Sequence, residues 1–453
     1  MSIPFRTVFA PLALAALLAP PLPAQTTSQD AWDAVKAQMD AMAQEIRDLR
    51  LTVTGLKSQL DAATSAAAAG ADEFYIPRLA NEFTLSGQSQ QLGGVYTKPY
   101  LGTLGDRTYL GGYVDLEFKD GKGDENQFFD QHRLVPFIYS DVSDRVKVST
   151  ELEFEHGHEV EVEFAQIDYL FSKAFNFRAG IMLLPLGKLN EVHDSPIQDL
   201  TERPLVDRYI IPTTLRDAGV GAYGDLAEDL SYQFSVTNGF KGLDAAGTSA
   251  ITATDGLRKA APQADALGEP FEQMNDTLAY AGRLAWSPVL GSEIGASALQ
   301  DTYDENGDND LLLMALDGTL DGKAVEWLPD QMELLGEGAW ANIERDAFAK
   351  ASGVVDDMHG YYVQANWHFE PLWLQGYKED GTLTRDAHFT FVTRYDHVNL
   401  DTYDMRRTTL GLNFRPNAHD TVFKLDYQFN DDSGSNQGLR DDDALLFSVA
   451  TYF

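Results

Sequence analysis

The chain has 453 residues, no cysteine and a formal net charge of −36. An acidic balance of this size excludes a nucleic-acid partner, which calls for a basic stripe, and suits a channel or surface that favours cations. Zero cysteines rule out thiol chemistry and a disulfide framework, while the length allows a single large β-barrel as readily as several domains.

Residues 1–24 read as a secretory signal. Arg6 supplies a sparse basic start, residues 8–18 an apolar stretch, and residues 20–24 lead to a cut before Gln25, with Leu22 an unusually large residue three before it. That apolar run falls short of the ~20 residues a membrane helix needs. No later segment has an uncharged apolar run of that length. A membrane-embedded chain of this kind must therefore close into a barrel, because lipid leaves no other way to satisfy strand backbones.

Residues 25–71 form the next unit. Trp32, Met39, Ile46, Val53 and Leu60 fall at a positions of a heptad, with Val35, Met42, Leu49 and Leu56 at d. The narrow stripe predicts a short N-terminal coiled-coil helix, and a single helix packed on the protein's own body is the alternative. Asp30 can cap its start, and residues 61–71, rich in alanine, read as a linker or an extension. At 1.5 Å per residue the helix reaches about 45 Å, enough to project into the periplasm. Self-association is its expected role, with cell-wall contact a further possibility.

Residues 72–453 are assigned to a transmembrane antiparallel β-barrel. From Thr108 onward, segments of about ten residues alternate with period two, and about 16 strands can be counted. Val146, Val148, Leu152 and Phe154 alternate with Lys147, Glu151 and Glu153; Phe423, Leu425, Tyr427 and Phe429 alternate with Lys424, Asp426 and Gln428. Around Phe164 and Ala165 the phase slips, where a bulge would re-aim side chains. Short links near 140–145, 172–176, 227–231, 287–292 and 416–420 alternate with long ones at 183–217, 239–276, 345–357 and 430–442, as short periplasmic turns alternate with outer loops. Residues 320–330 and 370–385 are too long for that scheme. The last strand, residues 444–453 (ALLFSVATYF), closes on an aromatic residue suited to a bilayer girdle.

Several stretches carry a family likeness: residues 164–171 (FAQIDYLF), 178–194 (RAGIMLLPLGKLNEVHD), 202–204 (ERP) and 210–224 (IIPTTLRDAGVGAYG), with weaker echoes at 360–366 (GYYVQAN) and 393–397 (TRYDH). Across residues 107–453 the chain resembles the phosphate-selective porin O and P family. The resemblance implies a 16-stranded, usually trimeric outer-membrane channel whose third loop folds inward. By strand count that loop is residues 183–217. Its constriction candidates are Lys188, Glu191, Asp194, Glu202, Arg203, Asp207, Arg208, Arg216 and Asp217, stiffened by Pro185, Pro196, Pro204 and Pro212.

Alternation places Lys147, Glu151, Glu153, Arg178, Arg283, Arg394, Arg407, Lys424 and Asp426 on the lumenal face as pore-lining candidates, with Asp115, Glu117, Glu293, Glu333, Glu337 and Asp396 beside them. This wall leans acidic, and carboxylate rings favour cations. The expectation is passive diffusion of small hydrophilic solutes and ions with a weak cation preference. An anion (phosphate-type) channel, a sugar-specific porin using Tyr109 and Tyr113, and a structural protein tethering the envelope are the alternatives. Asp304 to Asp310 places oxygens at alternate positions but lacks the glycine and glutamate of a calcium loop, so it reads as a solvated loop. His156 and His158 beside several glutamates read as loop histidines rather than a metal site. No Gly-x-Ser-x-Gly elbow and no phosphate-binding Gly-x-x-x-x-Gly-Lys loop occurs. The reading is a non-enzyme without cofactor or metal, with membrane lipid, solutes and further copies of itself, a homotrimer, as partners.

Overall fold

A computed structural model describes residues 102–104, 107–121, 127–262, 275–379, 381, 383–417, 421–433 and 443–453. The signal, the coiled coil and the linker lie outside the described residues. β1 (Gly102–Leu104) is followed by β2 (Thr108–Gly121), β3 (Phe128–Asp141), β4 (Val146–Glu155), β5 (Glu159–Leu170) and β6 (Asn176–Leu183). The other side of the sheet runs through β7 (Arg216–Ala227), β8 (Leu230–Thr237), β9 (Ala279–Trp286), β10 (Ser292–Thr302), β11 (Asp310–Asp321) and β12 (Met332–Ile343). It ends with β13 (Met358–Phe369), β14 (His388–Asn399), β15 (Asp404–Asn417), β16 (Thr421–Ser433) and β17 (Ala444–Tyr452).

Each strand from β2 onward pairs antiparallel with the next, and β17 returns to β2, which closes a barrel of 16 strands. The short β1 pairs with the start of β2, from Gly102 opposite Leu110 to Leu104 opposite Thr108. Closure gives each of β2 to β17 two neighbours and no edge, the condition for a sheet placed in lipid.

The alternation runs opposite to that of a soluble sandwich. Outward positions carry exposed Leu284, Ile294, Leu316, Val363, Phe391 and Leu425, while inward neighbours such as Glu151, Asp168, Arg394, Asp396 and Lys424 are buried. An apolar exterior around a polar interior is the pattern of a membrane barrel. The slip expected near Phe164 is present: Glu151 pairs with Phe164 but Leu152 with Val162, so both Glu163 and Phe164 are buried.

Links at one end, the turn end, are short at 142–145, 171–175, 228–229, 287–291 and 418–420. The two that looked too long are longer because they fold locally, into a 3-10 turn at Gly322–Ala324 and the helix Leu372–Glu379. The opposite, loop end carries the long links 184–215, 238–278 and 344–357. Their described parts do not hang outside. Leu205, Val206, Ile210 and Ile211 of the third link pack with Phe240, Leu243, Ile251 and Leu257 of the fourth and Val354 of the sixth. Beneath them, inward Leu299, Leu311, Leu313, Ala339, Ala341, Met358 and Val398 complete one apolar core within the mouth. Full burial of each large aliphatic side chain contributes roughly 1.5–3 kcal/mol, so this plug is a stable body rather than a set of loose loops.

Candidate functional site

The third link, residues 184–215, crosses the barrel interior. A crossing segment brings backbone groups that need partners once they are removed from water, and the wall supplies them. Glu337 accepts from Lys188 N at 3.0 Å and Leu189 N at 3.3 Å, Asp426 from Thr201 N at 2.6 Å, and Asp396 from Leu205 N at 3.0 Å. Basic and amide groups take the carbonyls: Lys424 Nζ donates to Ser195 O at 2.9 Å, Arg415 Nη1 to Pro196 O at 2.7 Å, and Asn413 Nδ2 to Asp199 O at 2.6 Å. Strands β12 and β14 to β16 therefore hold the link against one side of the lumen. On the other side Tyr452 Oη donates to Asp194 at 2.8 Å, and His193 Nε2 lies 2.9 Å from Glu163.

The nine wall candidates all lie on the inward face, in two groups. Arg394, Arg407, Lys424 and Asp426 anchor the link, Arg394 by donating to Glu202 O at 3.0 Å and Arg407 by pairing with the Glu202 carboxylate at 2.8 Å. The others pair along the wall. Lys147 meets Asp141 at 2.7 Å, Arg178 meets Asp168 at 2.8 Å, Arg283 meets Glu293 at 2.9 Å and Asp317 at 2.6 Å, Tyr139 Oη donates to Glu151 at 2.5 Å, and Glu153 lies 2.9 Å from Arg133.

Of the loop candidates, Lys188, Glu191, Asp194, Glu202, Arg203, Asp207 and Arg208 lie on the crossing link. Arg216 and Asp217 do not: they open β7, because the strand ladder with β6 begins at Arg216 opposite Leu183. There Arg216 pairs with Glu161, and Asp217 accepts from Gly239 N at 2.7 Å, tying down the fourth link. Within the third link, burial pulls the Arg203 guanidinium down to about 10, with neighbouring Arg133 adding to the effect. Glu202 goes the other way. Burial would raise its carboxyl, but Lys119, Arg407 and Arg208 outweigh that and hold it well below the usual carboxylate range.

Between the link and the wall of β2 to β4 lies a cavity of about 550 Å³. Its charged lining is matched, with Lys119, Arg133, Arg203, Arg208 and Arg258 facing Glu117, Asp130, Glu155, Glu202 and Asp207, and three histidines at 132, 156 and 193. Toward the turn end the same wall becomes aromatic. Tyr113, Phe137, Tyr139, Phe164 and Tyr452 cluster there against Ile197 of the link. The polar cavity is thus eccentric, beside β2 to β4, while the apolar plug fills the opposite side of the mouth.

Lys119, Arg133, His132 and Arg415 were missed as lumenal residues. Lys119 shares the parity of Asp115 and Glu117 and was legible. Arg133 was obscured by the register shift of β2 on β3 between Asp115 and Glu117. The plug also left a trace, since residues 311–315 (LLLMA) are apolar on both strand faces, which only a covered interior explains. Asp304, in the calcium-like stretch, accepts from Asp308 N at 3.1 Å and Asn309 N at 2.7 Å and closes its own turn.

Comparison with known proteins bears on this geometry. Residues 137–344, which include the crossing link and its flanking strands, match the family described as phosphate-selective porin O and P. That match covers somewhat less than half of the chain. An uncharacterized protein of Aquifex aeolicus strain VF5 is 32% identical over 232 residues, 47% of this chain and 50% of its own length. The chain thus spans about half the length of the curated relative it matches. Among solved structures, the outer membrane channel DcaP of Acinetobacter baumannii superposes with a TM-score of 0.50 at 10% identity, covering 76% of this chain and 97% of that one. A loop-deletion form of OmpT from Vibrio cholerae gives 0.49 at 9% identity, over 76% and 99%. At such identities the likeness is one of fold alone.

Proposed function

We propose that the protein is a bacterial outer-membrane porin through which small hydrophilic solutes and ions diffuse passively. The observation that carries this reading is the inverted barrel: apolar side chains outside, charged ones inside, and a polar cavity beside an inward-folded link. The porin O and P match supports it, as does the fold shared with a protein described as an outer membrane channel. Export through the signal at residues 1–24, a helix of residues 25–71 in the periplasm and assembly as a homotrimer belong to the same proposal. No catalytic step is assigned.

The finer reading is a weak cation preference. Inward carboxylates of Asp115, Glu117, Glu293, Glu333 and Glu337 give the wall its acidic lean, and carboxylate-lined pores favour cations. The five basic residues around the cavity favour the rival, anion-type reading, but five carboxylates face them. The test is the zero-current potential of the purified protein in a planar bilayer across a KCl gradient. A potential favouring potassium is expected. One favouring chloride would give the route to the basic residues, and absence of conductance steps would remove the channel reading.

A further inference from the structure

We propose that Asp130, His132 and His156 form a binding site for a borderline divalent metal ion of the zinc type at the outer mouth of the polar cavity. Asp130 and His132 stand on β3 at its register shift against β2, and both line the cavity. His156 comes from the tight link after β4, where it takes a left-handed φ of 53° beside Gly157 at 74°. That turn folds the imidazole back over β3, with its Nδ1 2.7 Å from Asp130 Oδ2. His132 Nδ1 lies 3.9 Å from the same oxygen, and the two imidazole rings are 5.7 Å apart.

One ligand atom from each of the three residues lies within 4.8 Å of the other two. An ion bound at 2.0–2.2 Å to imidazole nitrogen and carboxylate oxygen needs its donors roughly 3–3.6 Å apart, so small side-chain rotations complete the set. Two neutral imidazoles and a carboxylate suit zinc, copper or nickel, and are a poor match for magnesium or calcium, which take oxygens. Three protein ligands also leave the fourth position of a tetrahedral ion to water or solute from the cavity, which all three residues line.

The surrounding charges permit a cation here. Lys119 is engaged by Glu202 at 2.9 Å, and Arg133 by Glu153 and Glu155, each at 2.9 Å. Among the described residues, the ion-pair partners of Asp130 are His132 and His156. Glu117, with Oε1 3.8 Å from His132 Nε2, adds a second carboxylate beside that ring. The sequence shows only the His156 and His158 pair; the fold replaces His158 with two residues of β3.

Binding at this place would narrow the route and shift its charge by two, so the ion would act as a conductance regulator. That consequence rests on the channel reading; the site itself does not. The test is isothermal calorimetry of the full chain in detergent with zinc chloride, paired with bilayer recordings in which zinc is added to each side in turn. One ion per chain is expected, with affinity falling at least about tenfold in His132→Gln and in His156→Gln, retained in His158→Gln, and with magnesium giving no heat. Conductance is expected to fall when zinc reaches the loop end. No zinc heat, or zinc affinity indifferent to His132 and His156, would overturn the site. Retained binding with unchanged conductance would overturn only the regulatory role, and a silent bilayer with intact binding would fault the channel reading instead.

Discussion

Glu202 gathers donors from three strands: Lys119 at 2.9 Å, Arg407 at 2.8 Å and Gln428 at 3.2 Å. Its depressed carboxyl means that this anchor is intact at neutral pH and is lost only as pH falls through the lowered value. Asp207, on the same link, behaves oppositely. Burial, reinforced by Glu337, raises it well above its ordinary range, so docking of the link weakens as pH rises toward that value. Glu202 therefore loosens the link on the acid side, while the Asp207 penalty grows as pH climbs from the ordinary carboxylate range toward its raised value. Single-channel recordings across pH are expected to show larger, noisier openings in acid, as the Glu202 anchor is lost. Glu202→Gln should loosen the link at neutral pH and erase the acid limb, and Asp207→Asn should remove the penalty that grows with pH. Unchanged pH profiles in both variants would mean that neither carboxylate governs the link.

At the scale of elements, the third link is held by two chemistries, polar anchors to the wall and an apolar face to the plug. Ile210 is fully buried in that plug. Its truncation to alanine should cost about 2–5 kcal/mol, taken from the plug rather than from the strand ladders. Limited proteolysis of Ile210→Ala is expected to cut residues 184–215 faster while the barrel stays whole; simultaneous loss of both would show a single cooperative unit. The strands were legible because period-two alternation survives in β4, β13 and β16, where Lys147, Gln364 and Lys424 fall on the inward face. The inward link was legible from its prolines and mixed charge only with the family likeness beside it. What the residues did not show is the partner of each charge. Asp396 reads as pore lining in sequence but serves Leu205 N, and such cross-lumen pairings join positions nearly two hundred residues apart. The plug was overlooked for a related reason: a strand such as β11, apolar on both faces, looks like a weak alternation rather than a covered wall.

For the whole molecule, the exterior sets where lipid can stand. Leu284 is half exposed on β9, and Leu290 lies in the following turn. Leu284→Arg should lower unfolding stability in vesicles more than Leu290→Arg, whose cost should be about 0–1 kcal/mol. Equal urea midpoints for the two variants would place the hydrocarbon band elsewhere. A last consequence follows from the plug. Residues 311–315 have lipid-facing and plug-facing side chains in one uninterrupted apolar run, so on export both coverings are missing at once. A short, uncharged, β-prone segment of this kind invites intermolecular pairing while the chain is in water. Asp308, Asp310 and Asp317 flank it with negative charge, and we read them as gatekeepers whose service ends once the barrel has closed.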